Sequence, residues 1–114
     1  MSGTILHLAL EREWVAAQRE GVYRTSTLGV SIADEGYLHA CEDQAQLEGV
    51  VARYYGDVTE PLVVLSIDVD RLAVHGLSVG RERPAPGADL FPHVYGGDLP
   101  VDVVTRVERL SPRR

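Results

Sequence analysis

The sequence predicts a small α+β domain in which a curved or split, mostly antiparallel β-sheet packs with two main helices. Three observations point there. Apolar runs of strand length recur along the chain, and two stretches carry helical spacing of apolar residues. The order of elements reads β-α-β-turn-β-α-β-β-β, with three strands in succession at the end. A chain of 114 residues, 45% hydrophobic and 25% charged, can bury one core. It therefore reads as a single domain over residues 1–114 with a core at about 4–110.

Residues Ile5 to Leu10 are a short apolar run interrupted by one histidine, a pattern that suits a buried strand. Helix formers follow from Glu11 to Glu20, with Trp14, Ala17 and Gln18 on one stripe. Gly21 suits the position just past that helix, where a left-handed backbone costs a glycine least. Val22 to Leu28 alternates β-branched, aromatic and polar residues, as a strand or extended loop does. Ser31 to Glu35 reads as a short helical turn, and Gly36 to Cys41 as a second buried strand.

The clearest helix runs from about Asp43 to Tyr55. Leu47, Val50, Val51 and Tyr54 supply its i, i+3, i+4, i+7 spacing, Asp43 or Glu42 its acidic start, and Gly56 its end. Pro61 introduces Leu62 to Ile67, the strongest strand pattern in the chain. Asp68 to Leu72 reads as a turn and Ala73 to Glu82 as a further strand. Arg83 to Asp89 is broken by proline and glycine, so it is a loop. Phe91 to Gly97 reads as an aromatic turn, and Val101 to Leu110 as the last strand.

Composition narrows the function classes. There are 11 basic and 17 acidic residues, a net charge of −6, which argues against general nucleic-acid binding. Every basic residue is an arginine, so an anion site here must be an arginine site. No apolar run approaches the roughly 20 residues needed to span a bilayer, and the start lacks the charged region of a signal peptide. A single cysteine, Cys41, leaves no internal disulfide, which fits a cytoplasmic setting.

Candidate chemistry centres on histidines. His7 and His39 each occupy the middle of a strand pattern, where an unpartnered imidazole is costly. They are either core histidines bonded to backbone or two walls of one cleft. Tyr37 shares the His39 face by strand alternation. His93 and Tyr95 bring two more polar groups beside the proline-rich loop, and His75 reads as surface. The histidine spacing lacks H-x-x-H or H-E-x-x-H, so no metal is expected. Cys41 reads as a buried thiol rather than a nucleophile. Arg53, Arg81 and Arg83 are the candidates for gripping an anion. No Gly-rich phosphate loop of Rossmann or Walker type is present.

Taken together, Ile5-Leu6-His7, Trp14-x-x-Ala17-x-x-x-Gly21-x-Tyr23, Glu35-Gly36-Tyr37-Leu38-His39, Arg53-Tyr54-Tyr55, Leu62 to Asp68 with Arg71-Leu72, and Phe91-Pro92-His93-Val94-Tyr95-Gly96 form a specific series. This series resembles the small bacterial proteins of the domain-of-unknown-function 952 family, over about residues 4 to 108. The family's layout in turn is similar to a minimal ADP-ribosyltransferase fold, closest to the RNA 2′-phosphotransferase branch. That resemblance implies NAD as cofactor, held in a cleft of a split sheet. It implies that His7 bonds the adenosine-side ribose or nearby backbone and that His39 sits beside the nicotinamide-side ribose. The late glutamate of protein-modifying transferases has no match at Pro92-His93-Val94-Tyr95, and Arg53, Arg81 and Arg83 are substitutes for the phosphate-binding arginines of the RNA branch.

The expectation is thus a transferase-like enzyme acting on the ribosyl bond of NAD or a related nucleotide. His39, His93 and Tyr95 are its catalytic candidates. His7, Tyr37, Arg53, Arg81 and Arg83 are its cofactor-binding candidates. A lyase, isomerase or hydrolase for a small polar metabolite, and a non-catalytic ligand-binding module, stand beside it. In each reading the partner is a small molecule or nucleotide, with no membrane involved.

Overall fold

The structure, a computed structural model, describes residues 3–110. It is α+β, with four small sheets whose strand pairings are antiparallel. In chain order the elements begin with β1 (Thr4–Leu10), α1 (Glu11–Glu20), β2 (Val22–Tyr23), β3 (Thr25–Thr27), β4 (Val30–Ser31), α2 (Ile32–Glu35) and β5 (Leu38–His39). They continue with α3 (Gln44–Tyr54), β6 (Leu62–Asp68), α4 (Val69–Val74), β7 (Ser78–Glu82), β8 (Phe91–Tyr95), β9 (Leu99–Pro100), a 3-10 turn at Val101–Val103 and β10 (Val104–Arg109).

Strand β6 is apolar on both faces because it lies between β1 and β10 with core on either side. One cluster packs Ile5, Ala9, Trp14, Ala17, Val63, Leu65 and Ile67. The other packs Leu8, Leu10, Val64 and the inner face of α3, namely Leu47, Val50 and Val51. Strand β1 alternates accordingly, with Ile5 and Ala9 on one side and Leu8 on the other. Helix α1 spans the expected residues and stops at Gly21, whose φ of 89° is left-handed. Gln18 is exposed, so the buried stripe is Trp14 and Ala17.

Several expected elements change. Asp68 to Leu72 is not a turn. The Asp68 carboxylate accepts from the amides of Asp70 and Arg71, and this N-cap starts α4. The following strand consequently begins only at Ser78. Phe91 to Tyr95 is not a turn but the centre of a three-stranded sheet, ordered β5-β8-β7. Pro92 is tolerated there because it falls beyond the last β5 pair, His39 with His93. Gly36 to Cys41 contributes only two strand residues, followed by an isolated bridge between Cys41 and Leu6. At the end of α3, Tyr55 and not Gly56 is the cap, and Tyr55 is buried while Tyr54 is 62% exposed. The final strand starts at Val104, after the 3-10 turn.

Candidate active site

One face of the β5-β8-β7 sheet carries the candidate chemistry. The register sets His39 opposite His93, Gly80 opposite His93 and Glu82 opposite Phe91. Alternation then gathers His39, Phe91, His93, Tyr95 and Glu82 on one side. Leu38, Val79 and Val94 turn the other way, into the core. Gly80 belongs to the polar side, where a Cβ would lie in ordinary van der Waals contact with the Tyr95 ring at 3.4 Å.

Beside this face lies a cleft of about 790 Å³. Its wall includes His7, Tyr37 and His39, the hydroxyls of Ser26 and Thr27, and the Glu35 carboxylate. Helix α3 supplies Arg53 and Tyr54, and the proline-rich loop closes one side through Pro84, Gly87, Ala88 and Asp89. The loop is tied down by Arg83, which donates to the Ala88 carbonyl at 2.5 Å. Gln46 reaches the Leu90 carbonyl at 2.8 Å, joining α3 to the far end of the loop.

His7, in the middle of β1, and His39, at the end of β5 and not in mid-strand as its pattern predicts, meet in this cleft but differ in their freedom. His7 is buried, with Nδ1 2.6 Å from the His39 carbonyl and Nε2 3.1 Å from the Tyr23 hydroxyl. Both ring nitrogens are engaged within the protein. Burial pushes its pKa down to about 4, so the ring is neutral at neutral pH. His39 is half-buried, and its backbone N–H donates to Ser26 Oγ at 3.0 Å. Its ring packs near Phe91 and His93, with centroids 5.2 and 5.5 Å away. Burial and then the neighbouring His93 lower its pKa, which favours a neutral imidazole able to accept a proton.

Glu35 joins the site although the sequence alone does not mark it as a site residue. Its Oε1 accepts from Ser26 Oγ at 3.1 Å and Thr27 Oγ1 at 3.3 Å, which orients a carboxylate at the cleft wall. The available signal was local: Glu35 ends the short helix capped by Ser31 and precedes the Gly36-Tyr37-Leu38-His39 run. Tyr37 stacks on His93 at 4.0 Å with an interplanar angle of 11°.

Of the remaining candidates only Arg53 lies on the cleft wall; Arg81, Arg83, His93 and Tyr95 do not. His93 and Tyr95 are not on the cleft wall; both bond the Glu82 carboxylate, His93 through Nδ1 at 2.6 Å. Arg81 grips Glu42 with two bonds of 2.6 and 3.0 Å, also away from the wall. Arg53 lies on the wall with no ion pair among the described residues. Cys41 also lines the cleft, but burial pushes its thiol up to about 12, which makes it a poor nucleophile. Among the described residues, no group of three or more His, Cys, Asp or Glu side chains is arranged to hold a metal ion. No helix among them is long and apolar enough to cross a membrane.

Comparison with known proteins adds one family and one fold relative. A sequence profile of the family described as "Protein of unknown function (DUF952)" matches residues 8–107. The crystal structure of protein CC0527 from Caulobacter crescentus is similar at a TM-score of 0.74 and 25% identity, over 96% of this chain and 88% of that one. A doubly substituted variant of the same protein matches with the same values. Among curated proteins, none matches this chain.

Proposed function

The chain belongs to the DUF952 family, and from the geometry of its cleft we propose that it binds NAD or a related nucleotide and acts on the ribosyl bond. One observation carries this reading. A cleft of about 790 Å³ combines an arginine with no ion pair among the described residues, Arg53, with the imidazole of His39 and the carboxylate of Glu35. Small-molecule sites are commonly about 300–1,000 Å³, apolar in the main, with a few convergent polar groups. We read the split antiparallel sheet as ADP-ribosyltransferase-like on the same grounds.

The residues fit such a ligand in three ways. Arg53 offers a planar fork to a diphosphate. Tyr37 and Phe91 present aromatic faces on which a base or nicotinamide ring can stack. His39 and Glu35 are polar groups for ribose hydroxyls. The ligand supplies the chemistry of a glycosidic bond whose cleavage builds positive charge on the ribose. Glu35 opposes that charge, and His39, held neutral, takes a proton from the attacking hydroxyl. His7 acts one step back by fixing the His39 carbonyl.

Nicotinamide release from NAD tests the reading. The wild-type protein should release nicotinamide, and His39→Ala should slow release by roughly 10²–10⁴, the usual loss for one proton-transfer group. No release, together with no NAD-induced shift in melting temperature, rules the reading out. Affinity without release, lost in His39→Ala, points instead to a binding module.

A further inference from the structure

Behind the cleft lies a group that the proposed chemistry leaves unused. His93 is only 4% exposed, and its Nε2 is the one buried side-chain nitrogen or oxygen among the described residues with no hydrogen-bond partner. Its Nδ1 lies 2.6 Å from Glu82 Oε1, the same oxygen that accepts from the Tyr95 hydroxyl. The Tyr95 hydroxyl and then His93 hold the Glu82 carboxyl below its ordinary range, and the carboxylate pushes Tyr95 up to about 12. At neutral pH Glu82 is therefore an acceptor and Tyr95 a donor. A carboxylate can only accept, so His93 donates through Nδ1–H, and in the neutral ring Nε2 is left as a bare lone pair. A buried polar atom without a partner calls for a physical explanation.

The His93 ring touches two cleft residues. Tyr37 lies flat against it at 4.0 Å, and His39 is 5.5 Å away across the β5–β8 pairing. We propose that Glu82 and His93 form a positioning pair for the cleft: Glu82 fixes the tautomer of His93, and His93 sets the plane of Tyr37 and the protonation of His39. Glu82 is then a positioning residue that never touches the ligand. The proposal rests on the nucleotide reading for its ligand arm only. The other titratable groups around His39 are Glu35 from α2 and His7 from β1, and those around His93 are Glu82, Tyr95 and Tyr37. Of these, Glu82 is half-exposed, so it can be changed without opening the core.

The test pairs histidine NMR with NAD titration in the wild type, Glu82→Gln and Glu82→Asp, each checked for an unchanged melting transition. In the wild type, the ring-nitrogen shifts of His93 should report a protonated Nδ1 and a bare Nε2. A glutamine amide both donates and accepts, so Glu82→Gln should lose that preference and move the His39 titration midpoint. It should also weaken NAD binding by about tenfold, with Glu82→Asp recovering part of each effect. A wild-type His93 protonated on Nε2, or a His39 titration unmoved in Glu82→Gln, overturns the proposal. If the wild type binds no NAD, the nucleotide reading fails, and the two NMR readouts alone decide the role of Glu82.

Discussion

His7 has no free nitrogen, and that single fact separates its role from that of His39. Its two hydrogen bonds hold the His39 carbonyl and the Tyr23 hydroxyl, so removing the ring takes a hydrogen-bond partner from each. His7→Ala should therefore destabilise the fold by about 2–4 kcal/mol, measured by denaturant unfolding. The same burial makes stability depend on pH. The folded pKa of about 4 lies below the unfolded value of 6.5, so the unfolded state binds the extra proton between them. Stability from His7 is fully present above pH 6.5 and lost as pH falls towards 4, an integrated loss of about 3 kcal/mol. Urea midpoints across that window should fall with pH in the wild type and fall less in His7→Phe. A slope unchanged in that variant contradicts the assignment. Strand alternation was enough to bring out His7 and His39 as partners in one place. It was not enough for Glu82, because its link to His93 depends on the β7–β8 pairing, which no local pattern announces.

Helix α3 builds the wall that carries Arg53, and its first turn depends on one side chain. Asp43 accepts from the Gln46 amide at 3.0 Å, while the Gln46 side chain accepts from the Glu42 amide at 2.8 Å. This is a reciprocal cap, with a glutamine reaching back towards the start of the helix. Asp43→Ala should cost about 1 kcal/mol in thermal or denaturant unfolding, and by loosening Gln46 it should also make the loop that Gln46 ties at Leu90 exchange its amides faster. Equal stability and exchange in the variant contradict that role. Helices α1 and α3 were legible because their apolar spacing and caps are written within a few residues. Strand β8 was not, since Pro92 and the Gly96-Gly97 pair signal a turn locally. The pairing of Phe91–Tyr95 with strands on both sides overrides that signal. Helix α4 is hidden for the opposite reason: Asp68 suits a turn locally, yet it is the cap of a helix only six residues long.

Across the whole molecule, charge is mostly paired at the surface. Arg12, Arg24, Arg71, Arg81, Arg106 and Arg109 each meet a carboxylate, and Arg83 bonds a backbone carbonyl. Among the described residues Arg19, Arg53 and Arg83 have no ion pair, and of the three only Arg53 lines the cleft. The net charge of −6 then makes Arg53 a local exception in an acidic protein, which suits a small anion better than a long nucleic acid. The α+β class, the antiparallel pairing and the family were readable from sequence because they rest on recurring local patterns and on motifs in order. Which arginine remains free was not readable, since ion pairing is decided by tertiary neighbours. The central claim, that this cleft takes a nucleotide through Arg53, is tested most directly by calorimetric titration of NAD into the wild type and Arg53→Glu. Saturable binding by the wild type, weakened at least tenfold in a variant that melts normally, is the predicted result. No binding by the wild type at millimolar NAD, or equal binding by both proteins, contradicts the claim.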